Sequence, residues 1–140
     1  MILLTPELRA ALRANDVARC IAVRDRRREP DPLPLVKFFN PMGAATWIAT
    51  ELYDDDDTLF GLADLGFGCP ELGSFSLREI ACVRLSFGLF IERDEHFIAM
   101  CPLSVWADVA RRTGSIISAE AELRRRPEPP SGNELPPAGG

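Results

Sequence analysis

The hydrophobic and polar positions fall into a helix pattern, then a run of strand patterns, then helix patterns again. Behind Thr5-Pro6-Glu7, the residues Leu8, Ala11 and Leu12 recur at helical spacing. Thr5 supplies a capping oxygen, Pro6 fills a first-turn position whose N–H has no helical partner, and Glu7 lies in the first turn, so a helix starts here. The stripe fades after Leu12, which predicts an end near Asn15 and a charged, proline-punctuated connector through Asp31. Residues 35–39 are β-branched and aromatic enough for a strand, and Asn40-Pro41-Met42-Gly43 has the residues of a type I turn. A second strand at 44–52 and a third at 58–64 follow, separated by the acidic run Asp54 to Asp57, whose like charges require a solvated turn.

Three glycines and a proline between Leu65 and Gly73 predict a shaped loop, leading into a short fourth strand at 72–75. Ser76-Leu77-Arg78-Glu79 is a capping box, so a short helix starts at Leu77 and buries Leu77, Ile80 and Ala81. Extended character returns over 89–100. The last clear helix starts near Pro102, buries Leu103, Trp106, Ala107 and Ala110, and stops at Gly114. Trp47 and Trp106 each lie in an apolar pattern and read as core. Residues 127–140 hold five prolines and three glycines, a composition that cannot support a core and predicts a disordered tail. The expected architecture is α+β: an antiparallel β-meander of three to five strands packed with about three short helices, in one domain over 1–119 with a flexible tail over 120–140.

Length and composition narrow the class. The 140 residues suit a single domain, 46% are hydrophobic, and no apolar run approaches a membrane span. The start lacks the features of a signal peptide, which predicts a cytoplasmic protein. Cys20, Cys69, Cys82 and Cys101 form no metal-ligand spacing and read as reduced, partly buried thiols. The net charge of −5 is uneven: seven arginines face four acids in 1–29, whereas eight acids face one lysine in 31–75. An acidic body repels phosphate backbones, so nucleic acid is left with the Arg24, Arg26, Arg27 and Arg28 cluster, which otherwise reads as a solvated loop.

Strand register places further polar residues. With residues 40–43 as the loop, Lys37 stands opposite Thr46; with residues 53–57 as the next loop, Thr46 stands opposite Asp64. Lys37, Thr46 and Asp64 then form one row on one face, either a structural bridge or the polar centre of a binding site, to which Glu71 in the glycine-rich loop is added as a binding candidate. Glu92, Asp94 and His96 alternate along an extended segment, which would put three potential metal ligands on one strand face. That arrangement would serve a nuclease with Mg²⁺ or Mn²⁺; the alternative is a solvated face and no cofactor. No nucleotide loop or hydrolase elbow is present in the sequence.

The run VKFFNPMGAATWIATEL, then FGLADLGFGCPELGSFSLREI, IERDEHF and PLSVWADVARRTGSII, resembles an uncharacterised family of small proteins from conjugative plasmids and integrative elements, domain of unknown function 2958. The resemblance covers about residues 1–117. It implies an accessory protein of mobile DNA, in plasmid maintenance or in countering host defence. Two function classes fit: a non-enzymatic interaction module whose partner is another protein, and a metal-dependent single-stranded DNA endonuclease using Glu92, Asp94 and His96.

Overall fold

The computed structural model describes residues 2–126. The expected tail at 127–140 lies outside the described residues. The elements are α1 (Pro6–Arg24), β1 (Val36–Phe39), β2 (Thr46–Leu52), β3 (Thr58–Asp64), β4 (Glu71–Ser76), α2 (Leu77–Cys82), β5 (Glu92–Arg93), α3 (Leu103–Thr113) and α4 (Ile116–Arg125). The strands form one antiparallel sheet in the order β4-β3-β2-β1-β5. The fold is α+β, as the patterning requires.

Alternating side chains of the sheet feed two cores. Val36, Phe38, Trp47, Ala49, Leu52 and Leu59 pack under Leu12 of α1 with Ile80 and Ile91. Ile48 and Leu62 face the opposite way, onto Trp106, Ala110, Ile116 and Ala119 of the α3–α4 hairpin. With both faces covered, β2 is buried along its whole length. The indole Nε1–H of Trp106 donates to the Ala99 carbonyl at 2.6 Å, which satisfies the polar atom of a fully buried ring.

Two helices exceed the sequence expectation. α1 continues through Asn15 to Arg24, because its inward positions turn polar and not because the helix stops: Asp16 is buried, and Asn15, Arg13 and Arg19 bond to β2. Gly114 does end α3 in the left-handed region at φ 90°, but Ser115 immediately caps α4 by accepting the Ser118 N–H at 3.0 Å. Ile116, Ala119 and Leu123 of α4 are buried, so residues 120–125 belong to the folded body and not to a tail. Among the cysteines, all four are free, and three are exposed rather than partly buried.

The acidic turn is organised and not merely solvated. Asp55 accepts the N–H groups of Asp57 and Thr58, Arg9 pairs with Asp56, and Asp57 accepts the Ser76 hydroxyl at 2.7 Å and the Arg78 N–H at 2.8 Å. Ser76 in turn accepts the Glu79 N–H at 3.1 Å, so the expected cap of α2 is present and is itself braced by Asp57. The Thr58 hydroxyl holds the Asp55 carboxyl, and the Ser76 hydroxyl the Asp57 carboxyl, below the usual range. Carboxyls whose folded values lie below the unfolded ones stabilise at neutral pH and lose that contribution as the pH falls through the depressed values. Ser76→Ala should therefore cost ~1 kcal/mol in chemical denaturation at neutral pH, with the difference shrinking in acid as Asp57 protonates. Equal stability at neutral pH would mean that α2 does not depend on this cap.

Candidate functional site

A β-bulge creates the most unusual polar site. β2 pairs with β3 in one register from Thr46 to Ala49, opposite Asp64 to Gly61, and in a shifted register from Glu51, opposite Phe60. Thr50 is the extra residue. An extra residue turns the following side chains to the other face. Glu51 consequently shares the α3 side of the sheet with Phe60, while Leu52 joins the α1 core. The resulting cleft, about 290 Å³, has Phe60, Leu72 and Leu103 as apolar walls, Thr50 and Glu51 as its polar floor, and the connector 29–32 along its rim.

β1 does not extend alongside this half of β2, since its pairing stops at Val36 opposite Ala49, with Leu35 N–H reaching the Ala49 carbonyl. Polar side chains of α1 take its place. Asn15 Nδ2 donates to the Thr50 carbonyl at 2.9 Å, and Arg13 Nη1 to the Leu52 carbonyl at 2.8 Å. Arg19 Nε donates to Glu51 Oε1 at 2.6 Å and its Nη2 to Asp16 Oδ1 at 2.9 Å, while Arg13 holds Asp16 Oδ2 at 2.9 Å. The Glu51 bond, then the Asp16 bond, keep Arg19 more firmly protonated than an ordinary arginine. Burial pushes the Glu51 carboxyl up, and the Arg19 bond only partly offsets this. Tyr53 is likewise pushed up, by burial first, and its ring lies 5.5 Å from the Arg19 guanidinium.

Glu51 Oε1 is taken by Arg19, and Oε2 has no hydrogen-bond partner among the described residues. Among the described residues no sealed side-chain oxygen or nitrogen lacks a partner. Oε2 is therefore open to the cleft, although the residue as a whole is only 5% exposed. A buried carboxylate with one free acceptor in a partly apolar recess binds donors, cationic ones most strongly. Asp31 closes the rim by capping α3, accepting the Ser104 N–H at 3.1 Å and the Ser104 hydroxyl.

The sequence-predicted row is present in altered form. Thr46 does oppose Asp64, but the first loop is Pro41 to Ala44, closed by Asn40 N–H on the Ala45 carbonyl at 2.9 Å. Lys37 therefore opposes Ile48 and not Thr46. A shift of two residues keeps the face, so Lys37 and Asp64 both look toward α4 and find separate partners there. Lys37 Nζ bonds to Glu120 at 3.1 Å and lies 3.4 Å from Asp94. Asp64, fully buried, accepts the Gly66 N–H at 2.8 Å and the Ile116 N–H at 2.9 Å, tying the β3 end to the start of α4. These two residues are structural, and Asp64→Ala should cost about 2 kcal/mol because it strands two amides; a loss below a few tenths in urea titration would contradict this.

The remaining candidates are dispersed. Glu71 is exposed on β4. β5 comprises only Glu92 and Arg93; the chain turns at Asp94, whose Oδ1 accepts the His96 N–H at 2.9 Å. Glu92, Asp94 and His96 thus do not lie along one strand face. Among the described residues no group of three or more His, Cys, Asp or Glu side chains is placed to hold a metal ion. Arg24, Arg26, Arg27 and Arg28 are exposed where α1 ends, with Arg24 paired to Asp25. Arg19 and Asp16 went unmarked in the sequence, although arginine, aspartate and arginine at positions 13, 16 and 19 share one helix face.

The cleft adjoins an open sheet edge. Thr58 and Phe60 turn their main-chain groups to β2, through Tyr53 N–H on the Thr58 carbonyl and the Thr50 hydroxyl on the Phe60 carbonyl. Alternation then directs Leu59, Gly61 and Ala63 to β4, where Phe75, Gly73 and Glu71 pair with them. Leu72 and Ser74, both exposed, point their N–H and C=O groups outward. The loop before them lifts Phe67 into solvent at 84% exposure, between Gly66 and Gly68 in the left-handed region at φ 92° and 82°.

Among the described residues no helix is long and apolar enough to cross a membrane. No curated protein and no solved structure matches the chain. A family model described as "Protein of unknown function (DUF2958)" matches residues 3–117, and the chain belongs to that family.

Proposed function

We propose that the protein is a non-enzymatic interaction module that takes an extended segment of a partner protein along β4, beside the Glu51 cleft. It would act in the cytoplasm as an accessory protein of mobile genetic elements, in plasmid maintenance or against host defence; this part rests on the sequence resemblance. The observation that carries the binding mode is the outward main chain of Leu72 and Ser74 on an exposed edge strand. Edge strands are usually protected by lysine, a bulge or an internal proline. β4 (Glu71–Ser76) has none of these within it and one charge, Glu71, at its first position, and Phe67 stands exposed at the end of the same hairpin. Strand addition supplies main-chain hydrogen bonds for affinity and leaves alternate side chains to confer specificity.

Ser74→Pro tests the proposal. Proline removes an outward N–H and leaves the ladder to β3 intact, since Ser74 does not donate to it. Proteins captured from host lysate by the wild type should be lost on the variant while its melting temperature stays close to wild type. Equal capture by a folded variant would reject β4 as the binding edge.

A further inference from the structure

We infer that the cleft at the β2 bulge is a receptor for an arginine or lysine side chain of the partner segment, with Glu51 as the counter-charge; this rests on the reading of β4 as the docking edge. Register places the parts in line. Glu51 opposes Phe60, and Phe60 opposes Ser74, so one row runs from the buried carboxylate to the open edge on the α3 face. A strand added beyond β4 stands three strand spacings of ~4.8 Å, about 14 Å, from the backbone of Glu51. A long basic side chain from one end and the glutamate from the other span that distance. The stem of such a side chain would lie over Phe60 and Leu72, which line the recess, while its charged head meets the polar floor.

Charge selects the same ligand class. The lining carries Arg19 against Glu29, Asp31 and Glu51, a net −2. Arg19, its one cation among the described residues, is already committed, Nε to Glu51 and Nη2 to Asp16, so an anion would find little to bind. The first amides of α3, which would otherwise favour an anion, are taken: Leu103 N–H by the Pro32 carbonyl and Ser104 N–H by Asp31. What stays open is Glu51 Oε2, an acceptor on a residue buried by nine-tenths and more. The second cleft, about 380 Å³ beside Leu8 and Val36, offers no comparable buried group: Arg93 donates to the Leu3 carbonyl, Asp94 is occupied by Lys37 and its own turn, and Glu95 is exposed to solvent.

The test uses small probes on the full chain. Butylguanidinium and butylurea share a stem and a planar head and differ in charge, and neither needs the β4 edge. In ¹⁵N-edited spectra, butylguanidinium should give saturable shifts at Thr50, Glu51, Tyr53, Leu72 and Ser104, with butylurea at least tenfold weaker. Glu51→Gln, which keeps an acceptor for Arg19, should remove that preference. Leu72→Trp, which fills the mouth from an exposed position, should weaken binding at least tenfold and serves if the first variant misfolds. Equal binding of the two probes, shifts centred elsewhere, or no saturable binding would overturn the inference. Because the probes do not use the outward main chain of β4, charge-selective binding combined with capture insensitive to Ser74→Pro would leave the cleft standing and reject the edge. The opposite combination would do the reverse.

Discussion

Gly61→Ala should be among the most damaging single-methyl changes in the chain, at the top of the ~1–3 kcal/mol range for overpacking or beyond it. A Cβ at Gly61 would lie 1.9 Å from the Ile48 carbonyl oxygen and 2.7 Å from the Ala49 Cα, both backbone atoms of the strand opposite. Neither can rotate away. The clash sits where β2 leaves its first register, since Ala49 pairs with Gly61 and the next pair is Glu51 with Phe60. Close approach of the two backbones is thus part of how the bulge forms, and a side chain here works against the displacement of Thr50 that exposes Glu51 to the cleft. Urea denaturation of the variant measures the loss. A cost below 1 kcal/mol would show that the strands at this point stand further apart than described.

Lys37→Met should cost about 3 kcal/mol, since it removes the cation from a largely buried ionic cluster. The partner left behind is chiefly Glu120, whose carboxylate is mostly shielded and, among the described residues, retains only Arg124 at 3.6 Å. Asp94 is less affected, because it is more exposed and keeps the His96 N–H. Lys37→Met combined with Glu120→Leu should therefore recover more than half of the loss, whereas pairing it with Asp64→Leu should add a further loss. Asp64 has its own two amide donors and owes nothing to the lysine. Additive costs for Lys37→Met and Glu120→Leu in the double-mutant cycle would contradict the pairing.

The structure explains which parts of this arrangement could be read from the residues. Turns and caps act over three or four residues, so β3, the Ser76 cap and the Gly114 stop were legible, whereas the Thr46–Asp64 pairing agrees only because two offsets cancel: the second loop is residues 54–57, with Leu52 opposite Leu59, and the Thr50 bulge restores the count. The first hairpin was out by two residues because Asn40, expected in the loop, stays in the ladder while its side chain accepts the Met42 N–H. Helix periodicity is sought in apolar residues, and the second half of α1 faces β2 with Asn15, Asp16 and Arg19. The β2 partners of Asn15 and Arg19 lie more than 30 residues away, and Asp16 is held by Arg13 and Arg19 of its own helix, so apolar periodicity marks none of them. The bulge left no signal either, since Thr50 is an ordinary strand residue; only the pairing on both sides reveals it. Glu51 follows that bulge directly, and its separation from the solvated acids depends on it.

The proposed complex has an extended partner segment along β4 with a basic side chain in the Glu51 cleft. Photo-crosslinking tests it most directly: a photoreactive amino acid replaces Ser74 in the full chain, and the crosslinked partner peptide from host lysate is sequenced by mass spectrometry. Crosslinks are expected within one extended segment that contains an arginine or lysine, and they should be lost when Glu51→Gln is added. Crosslinks to a helical or acidic segment, or crosslinks unchanged by Glu51→Gln, would contradict it.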